Sequence, residues 1–476
     1  MLYIRGNRRD YDRWKDLGNP EWGWEDVLEY FKKSENMNVP ELVRGNGSRY
    51  HRTGGYLNVE QARTDPVLNQ LLRQAAVELK KEWIPDFNRD RHVGYGSSQL
   101  TIIGATRFSP AKAFLSPIKN RFNLHVIKNA MVEKILIDER NVATGVSFVL
   151  QNKIRMNAVA NKEVIVAAGA INTPQLLMLS GIGRTEELEK FDIPTKANLN
   201  VGGKLQDHVA VPLFFKFPAL QQDASELFLA FNEIDSLYEY TLKNRSQGVG
   251  NMQYLDTMVF LNTVNATDRY PDAQVFNMGA QKGADFIGRL ASNFEYIKPI
   301  RDSLEEAARE APVIYTHITT LNPKSRGKVR LASADPRVHP LIEANYFDHE
   351  DDLQTLVRGI RQLQELLKTT AFRTNKGELH RVNIPGCQQL EYDTDEYWEC
   401  YVRHMTITTY HPVGTAKMGP STDPEAVVDS RLRVKGIRGL RVIDASIMPL
   451  IVSGNTNAPT IMIGEMGSDF IKQENA

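Results

Sequence analysis

The chain has 476 residues, 42% of them hydrophobic and 24% charged, which is typical of a globular protein with two or more domains. Its 58 Lys and Arg residues equal its 58 Asp and Glu residues, so no net charge favours nucleic acid or an anionic membrane as a partner. The longest apolar runs, such as Val164 to Ile171, are far shorter than the about 20 residues that a membrane helix needs. The first ten residues contain no apolar core, so no signal peptide is predicted in this chain.

The first regular patterns predict one helix and one hairpin. Apolar residues recur at helical spacing between Trp22 and Phe31 and predict a short helix. Farther along, Leu124–Ile127 and Val132–Ile137 are two strand-like runs separated by a short polar break. Judged on this pattern alone, they form a hairpin in the core.

The stretch from Glu163 to Gly183 has the pattern of a strand, a glycine turn and a helix. Residues 164–168 are apolar, Pro174 is placed to begin the helix, and Gly181 is placed to end it. A helix N-terminus that follows a strand can hold an anionic group. A scaffold helix is an equally good interpretation.

Residues 209–400 alternate strand-like segments, such as Val211–Phe217, with amphipathic helices. The clearest helix follows Asp348, which is a good N-cap, and has acidic residues in its first turn. The two cysteines cannot build a metal site alone and the ten histidines are scattered, so no metal site is predicted. A lone histidine such as His208 is interpreted as a hydrogen-bonded structural residue.

Three pieces near the C-terminus contain the residue types that a buried redox site needs. In the first, a proline follows His411 and holds it in an extended or turn conformation, which fixes the direction of the imidazole. The second, Leu440–Asp444, is a short buried strand with a carboxylate at the end where open α/β sheets bind ligands. In the third, Pro459 suits the first helical position, so backbone N–H groups would lie beside Asn455 and Asn457. A helix-capping turn is the alternative for the two asparagines.

Three strings follow one another in this region: HPVGT at 411–415, GLRVIDASIMP at 439–449 and SGNTNAPTIMIGE at 453–465. In this order they resemble the C-terminal half of the glucose–methanol–choline (GMC) flavoprotein oxidoreductases, and specifically their arthropod glucose-dehydrogenase-like branch. The string GAINTPQLLMLSGIG at 169–183 resembles the family's internal motif. Similarity continues through residues 3–7, 325–327 and 345–347, so the resemblance covers nearly the whole chain.

The resemblance implies a mixed fold, with an incomplete Rossmann-like FAD-binding domain of α/β type and an α+β substrate domain built on an antiparallel sheet and helices. It assigns residues 1–60, 100–208 and 405–476 to a discontinuous FAD-binding domain. Residues 61–99 and 209–404 would form the substrate domain.

The implied activity is the oxidation of a CH–OH group of a small-molecule alcohol or sugar by an FAD-dependent dehydrogenase or oxidase, with hydride transfer to flavin N5. His411 matches the family's base, and its unperturbed pKa of about 6.5 lets a histidine accept the hydroxyl proton. Asn455 matches the second catalytic position, where an amide can bind the substrate oxygen but cannot take its proton. Val132 is expected against the adenine, Asp444 at the ribityl-pyrophosphate region, and Asn457 at the flavin. These motifs identify neither the substrate nor the electron acceptor.

In the family, the sequence similar to Tyr3–Asp12 follows a dinucleotide-binding βαβ unit. No G-x-G-x-x-G opens a helix after a strand in this chain, so that unit is expected to be missing. The chain is therefore expected to be a fragment, or to have a mispredicted start, and not to hold FAD stably by itself.

The full-length form is expected to be extracellular, because the resembling branch is largely secreted. Three N-glycosylation sequons, at Asn46, Asn244 and Asn265, favour secretion only weakly, since such triplets arise easily by chance. Cys387 and Cys400 could close a disulfide loop worth about 3 kcal/mol, or they could be two buried thiols.

A rival interpretation is a truncated, non-catalytic protein of the GMC fold that binds a ligand or a partner. It is motivated by the missing unit and by two departures from the family pattern. Lys204 stands where the family usually has asparagine, and Leu450 stands where the family usually has a polar residue.

Overall fold

The computed structural model describes residues 1–61, 66–104, 106–220, 241–242 and 257–475. In this part of the chain the α-helices are α1 (Arg8–Asp16), α2 (Trp24–Ser34), α3 (Pro40–Val43), α4 (Pro66–Glu78), α5 (Gly169–Leu179), α6 (Thr185–Leu188), α7 (Phe286–Asn293), α8 (Lys298–Glu310), α9 (Glu350–Gln364), α10 (Thr370–Thr374), α11 (Asp395–Met405) and α12 (Asn457–Glu474). No helix among these residues is both long enough and apolar enough to span a bilayer.

The strands of the same residues are β1 (Glu35–Met37), β2 (Leu57–Gln61), β3 (Trp83–Ile84), β4 (Gly94–Ser97), β5 (Gln99–Leu100), β6 (Ile102–Ile103), β7 (Thr106–Arg107), β8 (Ala130–Ile137), β9 (Ala143–Leu150), β10 (Ile154–Val159), β11 (Val164–Val166), β12 (Val209–Lys216), β13 (Thr257–Leu261), β14 (Ala273–Ala280), β15 (Val313–Thr320), β16 (Lys328–Arg330), β17 (Leu341–Glu343), β18 (Glu378–Leu379), β19 (Ile407–Thr408) and β20 (Leu440–Val442).

The largest sheet of the described residues has the order β18-β12-β15-β14-β13-β4-β3, with β19 also paired to β12. Its pairs are antiparallel except β3 and β4. One face is apolar and packs on α9, and the approach is close because a Cβ on Gly359 would lie 1.9 Å from Ile318 Cδ1. This is the antiparallel sheet that the sequence predicts for the substrate domain.

The α/β part of the fold is built on the parallel pair β11 and β20, which joins Val164 to Leu440 and Val166 to Val442. Helix α5 follows β11 directly. Helix α12 packs on α2, where Lys33 bonds Asp469 at 2.9 Å. These elements share one hydrophobic cluster, and the large sheet belongs mainly to another. The mixed fold is therefore confirmed, while the domain boundaries stay a prediction.

Two local predictions are wrong. Leu124–Ile127 is not a strand, and Val126 and Ile127 are 62% and 59% exposed. Strand β8 pairs instead with β9, the strand after it, so the earlier apolar run gains no strand partner in the described residues. Helix α9 is capped by His349, whose Nδ1 accepts from Asp351 N at 3.3 Å, and not by Asp348. An imidazole nitrogen with a lone pair can accept this hydrogen bond in place of a carboxylate oxygen.

Of the two alternatives for the cysteines, the disulfide is confirmed. It joins Cys387 to Cys400, with their Cα atoms 5.9 Å apart. It ties the turn that begins at Pro385 to helix α11. Of the three sequon asparagines, Asn46 and Asn265 are exposed, and Asn244 lies outside the described residues.

Candidate active site

The loop that carries His411 is held by the three residues before β12. Gln206 and Val413 exchange both backbone hydrogen bonds, at 3.0 and 2.9 Å. The backbone N–H of His411 donates to Asp207 Oδ1 at 3.0 Å. Tyr410, just before the histidine, has a left-handed φ of 59°, a costly conformation for a large residue that persists only where neighbours fix it. The paired segments supply that constraint.

The ring of His411 is fixed through its Nδ1 atom. This nitrogen lies 3.1 Å from His208 Nδ1 and 3.0 Å from Thr409 Oγ1. His208 is fully buried, and its Nε2 lies 3.1 Å from the carbonyl oxygen of Leu321. The prediction that His208 is a hydrogen-bonded structural residue is confirmed, but its partner is the candidate base itself.

The loop that carries Asn455 is tied to the start of the chain. Ser453 donates from its backbone N–H and its hydroxyl to the two carboxylate oxygens of Asp10, at 2.7 and 2.8 Å. Gly454 lies so close to Ile4 that a Cβ would come within 2.6 Å of its Cγ2 atom. Asn455 is 8% exposed, and its Nδ2 lies 3.3 Å from His411 Nε2. The structure thus brings together the two side chains predicted to be catalytic.

Burial sets the charge of this pair of histidines. It lowers the pKa of His411 to about 4. Burial, reinforced by the neighbouring His411, also holds the pKa of His208 well below its usual value. Both rings are neutral near pH 7, so His411 Nε2 can act as a proton acceptor.

Asp444 lies at the N-terminus of α5, with both carboxylate oxygens bonded by protein groups. One oxygen accepts from Gly169 N at 2.9 Å and from Thr173 Oγ1 at 2.6 Å, and the other accepts from Ser446 N at 2.8 Å. Helix α5 begins at Gly169, so the prediction that it begins at Pro174 is wrong. The helix continues through the proline because its missing hydrogen bond is replaced by tertiary contacts.

Val132 lines a cavity of 820 Å³ together with residues 164–168 and Asn172 of α5. The side chain is 39% exposed, so the hairpin β8–β9 does not bury it in the core. Gly169 has a left-handed φ of 80° and nothing within 4 Å of where a Cβ would stand. The N-terminus of α5 therefore faces open space next to this apolar cavity.

Asn457 is the first residue of α12, and Thr456 precedes the helix as its cap. The predicted start at Pro459 is two residues too late. A proline is tolerated anywhere in the first turn, because those N–H groups have no acceptor inside the helix. The unbonded N–H groups of this turn follow Asn455 directly.

These features fit FAD, which is long, partly apolar and anionic at its phosphates. The N-terminus of α12 offers N–H donors to anionic groups, and the cavity at Val132 offers a mostly apolar surface to a ring.

Sequence reasoning did not assign four residues to the site that hold it together, namely Gln206, Asp207, Gln274 and His208, the last of which was predicted only as a structural residue. Gln206, Asp207 and His208 are consecutive polar residues directly before a buried strand, and that signal could have found them. Gln274 is a fully buried amide in a mostly apolar strand, and its Nε2 donates to Asn455 Oδ1 at 3.1 Å.

The comparisons with known proteins agree with the fold. Models of the GMC oxidoreductase family match residues 1–210 and 323–464. Glucose dehydrogenase (FAD, quinone) of Drosophila melanogaster is 38% identical over 478 residues, covering 99% of this chain and 72% of that protein. Ecdysone oxidase of Spodoptera littoralis is 34% identical, covering 100% of this chain and 76% of that protein.

Solved structures agree as well. Formate oxidase of Aspergillus oryzae, a flavoprotein with FAD, has a TM-score of 0.82 at 25% identity, covering 100% of this chain and 82% of its own. A fungal aryl-alcohol oxidase has a TM-score of 0.78 at 22% identity, which shows the fold alone. The match over residues 1–210 gives no support to the expectation that an N-terminal unit is lacking. The chain belongs to the GMC oxidoreductase family, whose relatives found here are FAD-dependent dehydrogenases and oxidases.

Proposed function

We propose that this chain oxidises the CH–OH group of a small-molecule alcohol or sugar, with FAD as its cofactor. The observation that carries the proposal is the pairing of His411 Nε2 with Asn455 Nδ2 at 3.3 Å, while the other nitrogen of the same imidazole is occupied by Thr409 and His208. Relatives named as a glucose dehydrogenase and an ecdysone oxidase support the substrate class.

The two side chains have different tasks. A substrate hydroxyl placed between them gives its proton to His411 Nε2, which is neutral near pH 7 because burial lowers the pKa of the ring to about 4. Asn455 Nδ2 donates to the substrate oxygen and holds it in position while the proton leaves. Bound FAD supplies the hydride acceptor.

The cofactor would be held by residues around α5 and α12. Asn457 and the N–H groups of the first turn of α12 would bind at the flavin, where negative charge develops. Val132 would line the adenine side through its cavity. Asp444 would act at the ribityl-pyrophosphate region by fixing the N-terminus of α5, since its own oxygens are bonded by the protein.

The experiment is anaerobic reduction of the FAD-loaded protein by a panel of alcohols and sugars, followed by flavin absorbance. His411→Ala should keep its flavin but lose about 10²–10⁴-fold in the reduction rate, which is the usual contribution of a general base. His125→Ala, at an exposed position, is the matched control and should be reduced at the wild-type rate. Wild-type reduction rates in His411→Ala would contradict the proposal.

The rival interpretation, a non-catalytic binding protein, gains no support from the two departures that motivate it. Lys204 has a left-handed φ of 61°, a conformation that suits asparagine, and its ammonium bonds Glu425 at 2.6 Å. Leu450 contributes its carbonyl oxygen to Trp14 Nε1 at 2.9 Å, a backbone role that does not depend on its side chain.

We also propose that the protein is extracellular. The Cys387–Cys400 disulfide is of the kind that persists in oxidising compartments, and two sequon asparagines, Asn46 and Asn265, are exposed. Expression in a secreting host should give protein whose mass falls on treatment with a glycosidase. Protein from that host with unmodified asparagines and free thiols would contradict this proposal.

A further inference from the structure

The hydrogen bonds through the site form one chain whose direction is fixed at one end by a backbone carbonyl. The Leu321 oxygen, 3.1 Å from His208 Nε2, can only accept, so His208 must carry its proton on Nε2. A neutral imidazole has one proton, and His208 Nδ1 is therefore an acceptor. His411 Nδ1 lies 3.1 Å from this acceptor and 3.0 Å from Thr409 Oγ1, whose hydroxyl donates to the His208 carbonyl oxygen. Since both neighbours are acceptors, His411 carries its proton on Nδ1, which leaves a lone pair on Nε2.

The same direction continues through Asn455 to the large sheet. Its Nδ2, 3.3 Å from His411 Nε2, donates to that lone pair, and its Oδ1 must then face a donor. Gln274 supplies the donor from β14, since its Nε2 lies 3.1 Å from Asn455 Oδ1 and 3.0 Å from Met258 Sδ, which are both acceptors. Gln274 is fully buried, so no water competes for this amide.

We propose that His208 and Gln274 are positioning residues that hold His411 and Asn455 in their reactive orientations from opposite ends. His208 keeps the proton of His411 on Nδ1, so that Nε2 keeps a lone pair for the proton of a substrate hydroxyl that displaces the Asn455 hydrogen bond. Gln274 turns the amide nitrogen of Asn455 toward the substrate oxygen. This inference rests on the proposed function, but the orientation that it describes exists before any substrate binds.

Gln274→Met removes the donor at the amide end of the chain while keeping the length of the side chain. Asn455 Oδ1 then has no donor, and the amide is free to turn its oxygen toward His411 Nε2. An oxygen in that place favours the His411 tautomer with its proton on Nε2, and a protonated Nε2 cannot take the substrate proton. The limiting rate of flavin reduction should fall at least about tenfold, with a smaller change in KM.

The control for removing a buried amide from this strand is Asn277→Leu. Asn277 is also buried in β14, but it lies on the other face, where its Oδ1 accepts from Thr316 Oγ1 at 2.8 Å. It should reproduce any loss of stability without the loss of limiting rate.

At the His208 end of the chain, two variants separate the roles of the ring nitrogens. His208→Asn keeps an oxygen where Nδ1 stood and should retain more activity than His208→Gln. The longer amide of His208→Gln reaches the Leu321 carbonyl but offers His411 no acceptor.

Histidine-selective ¹⁵N NMR of the FAD-loaded protein reads the tautomer without turnover, with the His411 signal assigned by its loss in His411→Ala. Wild type should show the proton on Nδ1, and Gln274→Met should shift it toward Nε2. An Nε2-protonated His411 in the wild type, or an unchanged tautomer and unchanged limiting rate in Gln274→Met, would overturn the inference. If no alcohol reduces the wild-type flavin, the proposed function fails, and the NMR result still decides this inference.

Discussion

The Thr415 hydroxyl donates to the carbonyl oxygen of Ala170 at 2.7 Å, and this bond joins two motifs that lie far apart in the sequence. Ala170 is four residues before Pro174 in α5, so the proline leaves its carbonyl without the usual helical donor. Thr415 supplies that donor from the loop that follows His411. The helix can therefore continue through the proline, and its N-terminus is fastened to the loop of the base.

Replacing Thr415 by valine should lower the free energy of unfolding by about 1–3 kcal/mol, because it leaves a buried carbonyl oxygen without a donor while keeping the shape of the side chain. Denaturant titration measures the change. Thr415→Ser restores the hydroxyl and should recover most of the loss. A valine variant as stable as the wild type would show that another donor reaches Ala170.

The reduction rate should depend on pH through His411. Burial lowers the pKa of His411 to about 4, so the base is neutral and active above that value. The rate should be flat through neutral pH and fall as pH drops below about 4. Burial keeps His208 and His317 neutral in the flat range and raises the pKa of Asp207, which bonds the His411 backbone. Stopped-flow reduction across the pH range tests this, and a midpoint near 6.5 would contradict it.

A second buried histidine should make stability depend on pH. His51 places Nε2 at 2.8 Å from Asp86 and Nδ1 at 3.1 Å from Glu35. Burial alone would lower the pKa of His51, but these two carboxylates outweigh it and raise the pKa above the ordinary 6.5. Burial would likewise raise the pKa of Asp86, but His51 lowers it to about 2.

The shifts in the pKa values of His51 and Asp86 set the direction in which stability changes with pH. The His51 contribution to the free energy of unfolding is complete below 6.5 and is lost as pH rises through the raised folded value. The Asp86 contribution is complete above 3.8 and is lost as pH falls through about 2. Stability measured by denaturant titration should therefore fall as pH rises above about 6.5 in the wild type. His51→Gln should be less stable at pH 6 and lose most of this slope, whereas His125→Gln, an exposed control, should keep it.

Removal of the disulfide with Cys387→Ser and Cys400→Ser should lower the free energy of unfolding by about 3 kcal/mol through chain entropy, since the cysteines are 13 residues apart. The single variants should lose about as much as the double variant, because either one opens the loop. Mass spectrometry of the non-reduced wild type that found both thiols free would contradict the disulfide.

The sequence predicted which side chains meet at the candidate site better than it predicted the boundaries of the neighbouring helices. His411 and Asn455 lie in short strings whose residue types and order indicate a family, and the structure places their side chains in contact. The starts of α5 and α12 were misplaced because a proline inside a helix is counted as a break by local rules. In α5 the break is repaired by Thr415, which no local rule can anticipate.

By itself the sequence determined the family, the mixed fold, the candidate base and its amide partner, because these depend on residue types at short spacing. Only the tertiary structure decided which atoms of those side chains donate hydrogen bonds and which accept them. His208 stands 203 positions from His411, and Gln274 stands 181 positions from Asn455. The proton position on an imidazole and the direction of an amide are set by the hydrogen-bond partner on the far side. That partner is brought there by chain packing, and chain packing leaves no local pattern in the sequence.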